Sequence, residues 1–147
     1  MAIIREINVK YQFRETNCEQ AEKTLTSPEE TAKIFDYLKY ETKEVFIVAN
    51  LTTQRAINCI EVVATGCINS ISMRPSEVLR TAVILNMPGI ILVHNHPSGD
   101  PTPSTSDLNF TNMVIECAKV LNVEVVDHVI IGLNSFTSLR QTHPDLF

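Results

Sequence analysis

Two histidines one residue apart, His94 and His96, end the apolar run Gly89-Ile-Ile-Leu-Val93 and are followed by Asp107 across a short loop. An apolar run of this kind predicts a strand covered on both faces. In an extended chain residues i and i+2 point to the same side, so both imidazoles can face one point. The loop that follows is stiffened by Pro97, Pro101 and Pro103, and Ser104 then opens a helix with Asp107 in its first turn. Two neutral nitrogens and one carboxylate oxygen leave a fourth tetrahedral position open. That is what a catalytic zinc needs for a water whose pKa it lowers to about 7. Taken singly, these features have simpler explanations: Ser104-x-x-Asp107 is a capping box, and a histidine pair at a strand end can be ordinary surface. Together, at the lip of a buried strand, they are hard to explain as packing.

The elements that must carry these groups follow from periodicity and punctuation. Ile7 to Phe13 alternates apolar and polar residues, the pattern of a half-buried strand with an edge open to pairing. Residues 14–26 are polar and predict a loop. Ser27-Pro-Glu-Glu30 opens a helix to about Leu38. Glu44 to Leu51 predicts a buried strand, Thr52-Thr53-Gln54 a turn, and Arg55 to Thr65 its hairpin partner. A short extended piece should follow Gly66, and Pro75-Ser-Glu77 opens a helix to about Asn86. After the His94 loop come a helix from Thr105 to about Leu121, a strand from Val123 to Ile131, a turn, and a last short strand. Interleaved strands and helices predict an α/β (α+β) architecture, a mixed β-sheet flanked by helices in one domain.

Composition narrows the classes. The chain has 147 residues, 44% hydrophobic and 20% charged, which suits one globular domain. A net charge of −5, with 12 basic residues scattered along the chain, excludes a broad basic surface for wrapping nucleic acid. No apolar run reaches the roughly 18 residues of a membrane span. The first residues lack the form of a signal peptide, so the expected setting is cytoplasmic. Cys18, Cys59, Cys67 and Cys117 form no C-x-x-C pair and are expected to be reduced, mostly buried thiols. A zinc deaminase would require H-x-E and P-C-x-x-C, and both are missing. A His-Asn-His tripeptide is also not the nuclease motif of that name, whose residues spread over a hairpin and a helix.

The string His94-x-His96, seven residues, Ser104-x-x-Asp107 resembles the JAMM motif of the JAB/MPN metalloproteases. His94-Asn-His-Pro-Ser-Gly-Asp-Pro-Thr-Pro-Ser104 is similar to its RadC-like branch. Glu44-Val45-Phe46, Gly66 with Asn69-Ser70, Pro75-x-Glu77 and Asp127-His128-Val-Ile-Ile-Gly132 agree as well, so the likeness covers about residues 27–140. It implies a deaminase-like three-layer fold and a Zn2+ ion held by His94, His96 and Asp107. It further implies a glutamate on an earlier strand as general base to the zinc-bound water. Glu61, the only carboxylate between Arg55 and Gly66, is assigned that role, and Ser104 the steadying of the oxyanion. The implied activity is hydrolysis of an amide or isopeptide bond in a peptide or protein substrate. Asp100 reads as a turn former, His143 as exposed, and Asp127 or His128 as a support for a ligand histidine or a structural residue. The alternative function is a DNA-repair or mobile-element accessory, acting as scaffold or binding module. Only about 25 residues precede Ser27, too few for a helix-hairpin-helix module, so DNA contact is expected only through partners or a local patch.

Overall fold

The computed structural model describes residues 1–15, 23–66 and 73–147. The extended piece expected after Gly66, with Cys67, Asn69 and Ser70, lies outside the described residues, as do Cys18 and part of the 14–26 loop.

Helix α1 (Pro28–Ile34) starts where expected. Ser27 Oγ accepts from Glu30 N, and the Glu30 carboxylate accepts from Ser27 N. A 3-10 turn, Asp36–Tyr40, completes this arm. Strands β1 (Glu44–Leu51) and β2 (Ile57–Gly66) form the predicted hairpin. Helix α2 (Pro75–Ile84) begins at its proline, with Glu77 reaching back to Arg74 N at 2.8 Å. Strand β3 (Gly89–Asn95) is buried along its whole length. Helix α3 (Thr105–Val120), strand β4 (Glu124–Ile131) and a short β5 (Phe136–Ser138) follow.

Among the described residues the sheet has the order β2-β1-β3-β4-β5, with β3 and β4 parallel and the other pairs antiparallel. Both faces are covered, which is why β1 and β3 are mostly apolar instead of alternating. One face packs Phe46, Val48, Ile90 and Leu92 under α2 and α3. The other packs Ile47, Ala49, Ile91 and Val93 under α1 and the 3-10 turn. The mixed sheet flanked by helices is thus present.

One expected strand is absent. Ile7 to Phe13 forms no strand and lies exposed, because its alternating face meets no neighbouring strand; isolated strands are not stable in water. After β5 the chain turns into helix α4 (Leu139–Thr142) and a 3-10 turn, Pro144–Leu146, neither of which carries a long periodic signal. The thiols also differ from expectation. Cys59 and Cys117 are free, but Cys59 is only half-buried and Cys117 is exposed, so neither belongs to a core.

Candidate metal centre

The parallel β3–α3–β4 unit sets the site. Phe46 of β1 lies opposite His94, and the two rings stack with centroids 5.7 Å apart. His94 lies inside the sheet, on the last turn-free stretch of β3. His96 follows as the chain leaves it, its N–H donating to Ile131 O. Asp107 returns from the start of α3, where the Ser104 hydroxyl accepts from its N–H and its own carboxylate accepts from Ser104 N. The capping box is real, and it aims the carboxylate at the histidines.

The nearest donor atoms form a triangle. His94 Nε2 and His96 Nε2 are 3.0 Å apart, His94 Nε2 and Asp107 Oδ1 3.3 Å, and His96 Nε2 and Asp107 Oδ2 3.2 Å. Ligand bonds of 2.0–2.1 Å in a tetrahedron imply edges of roughly 3.3 Å. The residues fit a tetrahedral cation with one position left over. His94 has 2% of its side chain exposed, against 14% for His96 and 17% for Asp107, so the group opens on the His96–Asp107 side. Among the described residues this is the one group of three able to hold a metal ion.

Electrostatics agree. Burial alone would raise the Asp107 pKa, but its contacts with the His94 and His96 rings, then the charge of His94 and the Ser104 N–H, hold it far below the usual carboxylate range. The Asp107 hydrogen bond raises His96, against burial, with help from the Asp100 carbonyl and the charges of Asp107 and Glu44. His96 Nδ1 lies 2.8 Å from that carbonyl, which can only accept. The ring is therefore assigned the Nδ1–H form, with the Nε2 lone pair facing the site.

The other sequence-derived residues fall as follows. Asp100 is a turn former, its carboxylate accepting from Thr102 N and Oγ1, and its backbone carbonyl orients His96 as well. His143 is half-buried rather than exposed, and it touches Thr142. Asp127 is buried, with Oδ1 accepting from His128 N and Arg140 N and Oδ2 from Ser138 Oγ. It therefore ties β4 to the C-terminal turn. Burial raises its pKa against those hydrogen bonds. A folded-state pKa above the unfolded one contributes stability in acid, below about 3.9, and loses it as pH rises. Asp127→Ala should cost about 3 kcal/mol by orphaning buried donors. Asp127→Asn keeps the acceptor and offers Ser138 an N–H, so it should fall within about 1 kcal/mol of wild type and compare best at neutral pH. Urea unfolding at two pH values checks both.

Glu61 is turned elsewhere. It lies opposite Val48, two residues from the Phe46–His94 pair, and β1 separates its strand from β3. Strand spacings put its backbone roughly 12 Å from that of His94. Its Oε1 pairs with Arg80 of α2. Glu44, by contrast, is half-buried and shares a strand face with Phe46 two residues on, which directs it to the end of β3 where His96 follows. Asn95 secures that approach: its Oδ1 accepts from Val45 N at 2.7 Å and its Nδ2 donates to Lys43 O, so it clasps the backbone on both sides of Glu44. Sequence reasoning placed neither residue beside the histidines. Only the antiparallel register of β1 with β3, fifty positions apart, brings them to the histidines.

Comparison with known proteins agrees with this geometry. Residues 25–144 match the family model described as "RadC-like JAB domain". A "UPF0758 protein" of Clostridium perfringens is 40% identical over 124 residues, 84% of this chain and 55% of that protein. One of Desulforudis audaxviator is 39% identical over 80% of the chain and 51% of its own length. One of Methanosarcina acetivorans is 36% identical over 86% and 56%. The chain spans about half the length of these curated relatives. With the motif, the sheet and the matched span in agreement, the chain belongs to the family of RadC-like JAB domains.

Proposed function

We propose that this domain is a zinc-dependent hydrolase of amide or isopeptide-type bonds in a peptide or protein. The observation that carries the reading is the His94–His96–Asp107 triangle, sized for a tetrahedral cation and open on one side. Zinc is the ion suggested by two imidazoles and a carboxylate in that geometry. When bound, it would polarise the scissile carbonyl and make water a nucleophile near neutral pH.

The protein's own groups supply the proton transfers. We infer that Glu44, rather than Glu61, is the general base. It lies on the strand face leading to His96, its charge is felt by that ring, and Asn95 fixes the backbone around it. Glu61 is held by Arg80. Glu44 takes a proton from the attacking water and returns it to the leaving amine. Ser104 Oγ accepts from Asp107 N, which leaves its own proton available for the oxygen that gains charge. A reducing, cytoplasmic setting belongs to the proposal, in keeping with the free thiols of Cys59 and Cys117.

Metal analysis with a peptide and isopeptide library is the test. The purified protein should carry or take up zinc, lose hydrolysis to a chelator and regain it with added zinc. Zinc at about a hundredfold excess over its Kd should also stabilise the fold, by at most about 2.7 kcal/mol, read as a raised Tm. No zinc binding at neutral pH would sink the reading. Salt-sensitive DNA binding without any hydrolysis would instead favour the DNA-associated binding module.

A further inference from the structure

Behind His94 runs a chain of buried polar contacts that the hydrolytic chemistry does not use. His94 Nδ1 lies 2.8 Å from His128 Nε2, and His128 Nδ1 lies 2.6 Å from Thr111 Oγ1. Thr111 Oγ1 in turn lies 2.6 Å from the backbone carbonyl of Asp107. His94, His128 and Thr111 are all buried to 1% exposure or less. The chain begins on one member of the metal triangle and ends on the backbone of another.

Its hydrogens have one consistent direction. A carbonyl oxygen can only accept, so the Thr111 hydroxyl donates its single hydrogen to Asp107 O. Thr111 Oγ1 must then accept from His128, which puts the His128 hydrogen on Nδ1. A neutral His128 with hydrogen on Nδ1 has a lone pair on Nε2, which must accept from His94 Nδ1–H. The His94 Nε2 lone pair is then bare and faces His96 and Asp107.

We propose that Thr111 and His128 are positioning residues that lock His94 in its Nδ1–H tautomer and keep Nε2 ready to bind a cation. The proposal rests on the zinc reading of the site, but it concerns a hydrogen whose place is measurable without metal. Its logic also predicts how the lock fails. Without the Thr111 hydroxyl, His128 Nδ1–H loses its acceptor and its hydrogen moves to Nε2. His94 Nδ1 must then accept, and the His94 hydrogen moves to Nε2, into the metal position. A ligand histidine oriented by a buried neutral imidazole does the work a carboxylate or carbonyl does in many metal sites.

Two measurements test it. In metal-free wild-type protein at mildly alkaline pH, 15N–1H correlation of the imidazoles should find the His94 hydrogen on Nδ1. In Thr111→Val the same signals should move toward Nε2–H, and Zn2+ affinity, by competition with a chromophoric chelator, should fall about 10- to 100-fold. Thr111→Ser, which keeps the hydroxyl, should restore both readouts. A His94 hydrogen on Nε2 in the wild type overturns the proposal, and so does unchanged Zn2+ affinity in a folded Thr111→Val. If the wild type takes up no Zn2+, the hydrolase reading fails, while the tautomer measurement still decides this one. A Thr111→Val variant that does not fold leaves the wild-type spectrum to decide.

Discussion

Glu44→Gln should lower kcat for isopeptide or peptide hydrolysis by about 10²- to 10⁴-fold while zinc content stays at the wild-type level, the loss typical of removing a general base. The amide keeps the size of the side chain and can still hydrogen-bond, but it cannot take a proton. Glu61→Gln should leave kcat nearly unchanged, since that carboxylate is engaged by Arg80 on a strand separated from β3 by β1. The two variants decide between candidates. Loss of turnover in Glu61→Gln with a fully active Glu44→Gln would reverse the assignment and restore Glu61 as the base. Equal, full activity in both would remove the proton-transfer scheme altogether.

Gly132→Ala should be the most damaging single methyl group in the described chain. A Cβ there would stand 2.5 Å from Gly99 O, 2.8 Å from Pro101 Cδ and 3.0 Å from Ser135 O. Two of those three atoms are backbone, so no side-chain rotation relieves the contact. Gly99 O already accepts from Leu133 N, and Gly132 N donates to Ser135 O, so the turn after β4 and the loop after His96 are pinned to each other. Forcing them apart should cost about 1–3 kcal/mol. It should also draw the Asp100 carbonyl away from His96 Nδ1 and weaken zinc binding by about 10-fold or more. Gly66→Ala is the control: nothing lies within 4 Å of a Cβ there, and its φ of +113° leaves only a backbone penalty, on a strand that β1 separates from β3. Thermal unfolding with and without zinc separates the two. Wild-type stability in Gly132→Ala would refute the close approach of loop and turn.

The metal group was legible in the sequence because it is local. His94, His96 and Asp107 fall on one strand-loop-helix segment, and each geometric step (alternation in a strand, a stiff loop, a capping box) has a short-range signature. The helix starts at Ser27, Pro75 and Ser104 were readable for the same reason, since capping is chemistry between residues three apart. What was not legible depends on pairing across the sheet. Glu44 faces the site only through the register of β1 with β3, and Asn95, between the two histidines, shows its role only once Lys43 and Val45 lie beside it. Glu61 was singled out as the only carboxylate between Arg55 and Gly66, and spacing alone cannot tell that β1, not β2, neighbours the strand that carries His94. The alternation of Ile7 to Phe13 misled for the opposite reason: the pattern is local, but a strand exists only by virtue of its neighbour.

The placement of all three ligands on one short segment has a consequence for how affinity should be measured. His94 and His96 stay two residues apart however the chain is arranged, and Asp107 follows His96 by eleven. Closing so short a loop costs little entropy, so the unfolded chain keeps a weak three-point grip on the ion. Ligand held by the denatured state subtracts from the stabilisation of the folded one. Thermal shifts will therefore understate how tightly the folded site binds. The folded site's own contribution, His94 fixed by His128 and Thr111 and an Nε2 turned inward, is what direct competition titrations will register.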